Sequence, residues 1–161
     1  IASGGIADGR GLAAAMALGA EGVNMGTRFC ATVEAPIHDD IKRALVNASE
    51  RDTNLIFRSF RNTGRVLKNA ISNQVVAAER RPGGCEFAEI HPLVAGQRGR
   101  AALQSGDVDG GLVWAGQVVG LINDVPTCDE LIRRMVSECR DSLAAASRRA
   151  GVEVTETCQE M

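Results

Sequence analysis

Two glycine-rich turns are the residues of this chain best suited to bind an anion. Ser3, Gly4 and Gly5 follow one short apolar run, and Gly26 and Thr27 follow another. Glycine lets a backbone approach phosphate oxygens closely, and the two hydroxyl groups add hydrogen-bond donors. The spacing leaves two interpretations open, because the same residues could bind a phosphate group or could simply form tight turns.

The elements that would position these turns read as strand, helix and strand. Asp8 can cap a helix that Gly19 ends, and its small and apolar face is Leu12, Ala13, Met16 and Ala17. Residues 22–25 form the second apolar run. This order predicts a βαβ unit of a parallel sheet, in which both strands end at the same edge. Both turns would then face one ligand.

Beyond Pro36 the pattern indicates helices, and no strand is evident. The predicted apolar faces are Ile37, Ile41, Ala44 and Leu45 in one helix, and Val66, Leu67, Ala70, Ile71 and Val75 in the next. Pro82-Gly83-Gly84 interrupts this run. A short helix is expected from Ile90 to Val94, and a glycine-rich apolar stretch follows from Gly106 to Gln117.

The last helix has the clearest boundaries. Thr127 and Glu130 form a capping box, Arg148 and Arg149 lie in the final turn, and Gly151 ends the helix. Its predicted apolar face is Leu131, Ile132, Met135, Val136, Cys139 and Leu143. The polar tail after it is expected to fray.

Composition excludes several classes of protein. The chain of 161 residues is 45% hydrophobic and 24% charged, with a net charge of −2. Its basic residues are scattered among acidic ones, which argues against a nucleic-acid binder. No stretch has the ~18 consecutive apolar residues needed to span a bilayer, and no signal peptide is visible. We therefore expect a cytoplasmic protein that contacts neither nucleic acid nor membrane.

Histidines and cysteines offer no metal site by their spacing. His38 and His91 stand far apart, and each is better explained as solvated or locally hydrogen-bonded than as catalytic. The cysteines are odd in number and lack a C-x-x-C pair, so we interpret them as free thiols: Cys30, Cys85, Cys128, Cys139 and Cys158. A buried apolar role explains Cys128 and Cys139 better than a reactive one.

The run from Ala2 to Leu12, with the run from Ala17 to Phe29, resembles the phosphate-binding half of the nitronate monooxygenase (2-nitropropane dioxygenase) family. The resemblance continues downstream and is closest there to the branch that includes NADH:quinone reductases. The segments that carry it are Arg58–Thr63, Lys68–Ile71, Gly96–Arg100 and Gly106–Gln117.

The resemblance implies an FMN-dependent enzyme. The family's FMN-phosphate contacts fall on Ser3, Gly4, Gly5, Gly26 and Thr27, the residues already chosen from the sequence pattern. The family's catalytic histidine lies on earlier strands and matches neither histidine of this chain, so no catalytic residue and no metal ligand is assigned.

Two further residues near these turns have two interpretations each. Arg28 could neutralise the phosphate or could form a salt bridge. The resemblance implies that the segment from Trp114 to Gln117 folds back toward the flavin, so Gln117 could touch the cofactor or the substrate, or the segment could be purely structural. The alternative for the segment around Gln117 is that its apolar neighbours, Val113, Trp114, Val118 and Val119, belong to the core.

The resemblance also implies a reaction. Oxidation of an alkyl nitronate with O₂ is the first choice, NAD(P)H-dependent quinone reduction is the alternative, and enoyl-thioester reduction is the third. The expected partner is thus a small-molecule substrate, a nitronate or a quinone with NAD(P)H, and a homodimer is left open.

The implied fold is α/β, the C-terminal portion of a (β/α)₈ TIM barrel with an appended helical segment. Residues 1–35 would form the last βαβ part with the FMN-phosphate site, residues 36–150 a helical segment packed on the barrel, and residues 151–161 a polar tail. Because Ile1 is not methionine and the chain opens at the end of a strand, we expect a fragment that is catalytically silent by itself.

Overall fold

The computed structural model describes residues 1–151. Residues 152–161 of the predicted polar tail, with Cys158, lie outside the described residues. Four short strands and seven α-helices are described, along with a 3₁₀ helix at Gln117–Leu121: β1 (Ala2–Ser3), α1 (Gly9–Ala17), β2 (Val23–Asn24), α2 (Thr27–Cys30), α3 (Asp39–Asn47), β3 (Thr53–Ile56), β4 (Gly64–Leu67), α4 (Ala70–Glu79), α5 (Phe87–Val94), α6 (Gly96–Ser105) and α7 (Cys128–Ala150).

The first unit confirms the predicted strand, helix and strand. β1 and β2 are parallel, with Ala2 opposite Val23 and Ser3 opposite Asn24. The carboxylate of Asp8 caps α1 by accepting a hydrogen bond from the backbone of Gly11 at 3.0 Å. The two strands therefore end side by side, as the parallel arrangement requires.

Helix α7 lies against α1 and covers it. Thr127 and Glu130 form the predicted capping box, and Gly151 ends the helix in a left-handed conformation. The side chains of Leu131, Met135 and Cys139 are buried. The predicted apolar face was too wide, because Ile132 and Val136 are 50% and 38% exposed.

The prediction of one helix through Val66, Leu67, Ala70, Ile71 and Val75 was wrong. Val66 and Leu67 belong to β4, which pairs antiparallel with β3, and only the other three residues lie in α4. Both strand residues are nevertheless buried, and Leu67 donates a hydrogen bond to Val113 at 2.8 Å. The sequence pattern identified core residues correctly and misassigned their secondary structure.

The glycine-rich stretch after α6 is hydrogen-bonded to the start of α4. The amide of Asn69 donates to the carbonyl groups of Val108 and Gly111, at 2.6 and 2.7 Å. Asp109 accepts from the first amide of α4. Helix α5 spans the expected residues, whereas α6 was not anticipated because Gly96 and Gly99 are poor helix formers.

In the part of the chain that the structure describes, no helix is long and apolar enough to cross a membrane. The same residues contain no group of three or more histidine, cysteine or acidic side chains placed to hold a metal ion.

Candidate functional site

The two glycine turns meet at the carboxyl end of the parallel strand pair. The amide of Gly4 donates to the carbonyl of Asn24 at 3.1 Å, which extends the pairing of β1 and β2 by one residue. Gly5 and Gly26 each lie two residues beyond the end of their strand. The structure therefore places both turns at the same end of the strand pair.

Open space lies over the glycines of both turns. A Cβ atom built on Gly4, Gly5 or Gly26 would have no heavy atom within 4 Å. Within residues 1–151, the amides of Gly5 and Gly26 donate to no other group of the chain. These amides are thus available to an external acceptor, whereas the amide of Gly4 is already used in the strand pairing.

The reasons for glycine differ between the two turns. Gly4 and Gly5 have φ angles of +83° and +74°, a left-handed conformation that by itself favours glycine. Gly26 has a φ of −91°, which any residue can adopt. Neither backbone strain nor a neighbouring atom requires glycine at position 26, so the space over this part of the backbone is open.

Thr27 links the site to a distant segment of the chain. Its hydroxyl accepts a hydrogen bond from the amide of Gly116 at 3.0 Å and keeps its own proton available for donation. The segment containing Trp114 and Gln117 therefore passes beside the second turn. Gln117 opens the 3₁₀ helix, and its amide approaches the carbonyl of Glu50 at 3.4 Å.

The interpretation of the neighbouring apolar residues as core holds for three of the four. Val113, Val118 and Val119 are buried, while Trp114 is 56% exposed and lies against Gly64 and Val66 of β4.

Asn24 is a polar residue of the site that the sequence reasoning missed. Its amide group approaches the hydroxyl of Ser3 at 3.4 Å, across the two strand ends, and both side chains are exposed. An asparagine that ends a strand two residues before a glycine was the available signal.

Arg28 forms a salt bridge, which was one of the two roles predicted for this residue. Its guanidinium is 2% exposed and Nη2 contacts the Asp124 carboxylate at 3.1 Å. Burial lowers the pKa of Arg28, and the charge of Asp124 opposes that effect. Hydrogen bonding from Arg134 is the main reason why the pKa of Asp124 lies below its usual value. Arg28 thus anchors the residues next to Thr27.

We expect Asp124→Ala to destabilise the fold by about 2–3 kcal/mol, somewhat less than for a fully buried pair because Asp124 is partly exposed. The substitution leaves a buried guanidinium whose Nε already finds no acceptor within residues 1–151. Urea unfolding measures the effect. The control is Asp129→Ala, which breaks the exposed pair with Arg133 and should cost under about 1 kcal/mol. Equal losses would contradict the role given to the buried pair.

The two histidines have local roles. His38 caps α3 by accepting from the amide of Asp40 at 3.2 Å, and the ring of His91 packs against Phe87. Neither contacts the glycine turns. The four described cysteines are free, and burial raises the pKa of the Cys30 thiol, which disfavours the reactive thiolate.

The parallel strands and their covering helices define an α/β protein. The sequence profile of the nitronate monooxygenase family matches residues 1–138, and the chain belongs to that family.

Curated relatives agree with this assignment. A nitronate monooxygenase of Paraburkholderia phytofirmans is 35% identical over 146 residues, and one of Neurospora crassa is 30% identical over 149 residues. Each alignment covers 89% of this chain and 38% of the relative. A carboxyl-CoA dehydrogenase of Mycobacterium tuberculosis acting on a methyl-oxo-octahydroindene skeleton is 30% identical, over 91% of this chain and 51% of the relative. These names all denote oxidoreductases.

Solved structures show the same relationship. FabK from Thermotoga maritima matches with a TM-score of 0.81 and 34% identity, over 93% of this chain and 46% of that one. Nitroalkane oxidase from Streptomyces ansochromogenes matches with a TM-score of 0.69 and 28% identity, over 90% of this chain and 40% of that one. The chain thus spans between about two fifths and one half of the length of these relatives.

Proposed function

We propose that the protein is an FMN-dependent oxidoreductase that holds the FMN phosphate between the two glycine turns. The observation that carries the proposal is the pairing of β1 with β2, which sets the free amides of Gly5 and Gly26 at one strand end beneath open space. Ser3, Gly4 and Thr27 complete the cradle. A phosphate group fits this donor set, because its oxygens accept hydrogen bonds from backbone N–H groups and a charged side chain is not required.

The residues of this chain would bind and orient the cofactor. Phosphate oxygens would accept hydrogen bonds from the amides of Gly5 and Gly26 and from the hydroxyl of Thr27. The hydrogen bond from Gly116 keeps Thr27 in position. A bound flavin would supply the electron transfer. The chain's contribution is the placement of that group.

The proposed reaction is the oxidation of an alkyl nitronate by O₂, and the family membership supports it. A second candidate is reduction at an enoyl thioester, which the likeness to FabK and to the carboxyl-CoA dehydrogenases favours. Quinone reduction with NAD(P)H rests on the downstream sequence resemblance alone.

The proposed place of this chain in the whole protein is the C-terminal part of a (β/α)₈ barrel. In that arrangement residues 1–35 supply the last βαβ part, and residues 36–150 pack on the barrel as the appended segment. A (β/α)₈ barrel commonly binds phosphate at the loops that follow its last two strands. The extent of the matched relatives is compatible with this division.

Comparison of kcat/KM values tests the reaction. We expect the FMN-loaded whole protein, of which this chain is a part, to consume O₂ with an alkyl nitronate at least about tenfold more efficiently than it oxidises NADH with a quinone. An enoyl thioester assayed with NAD(P)H serves as the third arm. A preference for either of the other substrates would transfer the proposal to that reaction while leaving the FMN site in place.

A further inference from the structure

A second cavity, remote in sequence from the glycine turns, lies between the outer strand β3 and the end of α4. Its volume is about 430 Å³. Three arginines line it, one from each neighbouring segment: Arg58 from the turn after β3, Arg65 from β4 and Arg80 from the end of α4. Three guanidinium groups around one cavity provide a large excess of hydrogen-bond donors.

The positive charge of this cavity is not neutralised by ion pairs. Within residues 1–151, none of these three arginines forms a salt bridge with an acidic side chain. Arg65 donates to the Thr53 hydroxyl at 2.8 Å, which leaves the proton of that hydroxyl available as another donor.

The one carboxylate that lines the cavity already accepts hydrogen bonds from the neighbouring turn. Glu79 accepts from the amide of Phe57 at 2.9 Å, and from the amide and hydroxyl of Ser59 at 3.1 and 2.7 Å. It therefore fixes the turn that carries Arg58 between these two residues. Three guanidinium groups and one carboxylate leave two net positive charges.

This turn is built at an energetic cost. Phe57 has a φ of +61°, a left-handed conformation that disfavours side chains, and its ring packs near Phe87 and Trp114 with centroids 6.4 Å away in each case. Strained residues that the surrounding structure holds in place are common at binding sites. Here the hydrogen bonds to Glu79 hold the strained turn, and Arg58 with it, at the cavity.

Apolar surface accompanies the charge. Leu55 and Val76 also line the cavity, so a ligand there would meet guanidinium groups on one part and apolar side chains on another. A free inorganic anion would use only the first part. A phosphate group carried by an organic moiety would use both.

We propose that this cavity binds a phosphomonoester dianion on a compact organic group, such as the ribose phosphate of a nucleotide cofactor or cosubstrate. Two net positive charges match the dianion, and arginine offers the bidentate geometry that phosphate oxygens accept. The cavity shares no residue with the glycine turns. A ligand in this cavity would therefore contact none of the residues proposed to hold FMN.

Calorimetric titration with matched ligands tests the proposal. NADP⁺ is compared with NAD⁺, and coenzyme A with dephospho-coenzyme A, since each pair differs by one phosphomonoester. Saturating FMN is present so that its own phosphate does not compete. We expect at least one phosphorylated ligand to bind about tenfold more tightly than its counterpart. A preference within the first pair identifies a nicotinamide dinucleotide as the molecule that carries the phosphomonoester. A preference within the second pair identifies a thioester carrier.

Substitution of Arg58 and Arg80 together by glutamine should remove the preference. Both side chains are exposed, so the double variant retains the packing of the fold, and Arg65 keeps its bond to Thr53. The matched control is Arg140→Gln, an exposed arginine of α7 outside the cavity, which should leave the preference intact. Equal affinity within both ligand pairs, or a preference that survives the double substitution, would overturn the proposal.

Discussion

Gly26→Val should abolish FMN retention while leaving the helical content unchanged. The valine side chain would enter the open space over the turn and keep a phosphate group away from the amides. Loss of two hydrogen bonds to a charged acceptor corresponds to at least about a hundredfold weaker binding. Flavin absorbance of the purified variant measures the loss, and far-ultraviolet circular dichroism measures the helices.

Gly22→Val is the matched control for that experiment. Gly22 precedes the same strand at its opposite end, and a Cβ there also meets no heavy atom within 4 Å. This variant should retain flavin. Gly4→Val should lose flavin as well, with an added cost in stability because Gly4 has a positive φ. Normal flavin content in both Gly4→Val and Gly26→Val would refute the phosphate site.

Gly9→Ala should destabilise the protein by about 3 kcal/mol or more, although alanine is the better helix former. A Cβ on Gly9 would lie 2.3 Å from the Cβ of Glu138 and 2.5 Å from the backbone nitrogen of Cys139. Because a backbone atom of α7 cannot move without shifting the whole helix, the cost of the clash exceeds the roughly 1 kcal/mol gained in helix propensity.

Urea unfolding of Gly9→Ala and Gly22→Ala measures this effect. Alanine at position 22 meets no neighbour and should change the free energy of unfolding by less than about 1 kcal/mol. If Gly9→Ala were as stable as the unsubstituted protein, the close packing of α1 on α7 would be wrong.

The parts of the fold that the sequence predicted are those with strong local signals. Asp8 and Thr127 are side chains that can bond to amides three residues ahead, so each helix start could be assigned from a few neighbouring residues. The glycine turns were found in the same way. Their convergence also followed, since two strands joined by one helix pair in parallel.

The hairpin of β3 and β4 lacked such signals. Val66 and Leu67 share their spacing with Ala70 and Ile71, as residues on one helical face would. The connection between the strands has positive φ at Phe57 and Arg61, where glycine or asparagine would have indicated a turn. Tertiary packing determines these strands, and local preference does not.

The contacts of Thr27 and Arg28 were not predicted from the sequence for a similar reason. Gly116 reaches Thr27 from 89 positions along the chain, and Asp124 reaches Arg28 from 96. Spacing within a sequence carries no information about contacts of that range. Only the folded chain shows that Arg28 pairs with Asp124 and that Gly116 donates a hydrogen bond to Thr27.

The hydrogen bond from the amide of Gly9 to the carboxylate of Glu138 has a consequence for the order in which the protein folds. It closes a loop of 129 positions at 2.8 Å, and such a contact forms only after a large loss of chain entropy. During synthesis, the start of α1 leaves the ribosome long before its partner in α7 exists. The first glycine turn, which directly precedes α1, is therefore made long before α7 and is among the last parts of this chain to reach its final stability.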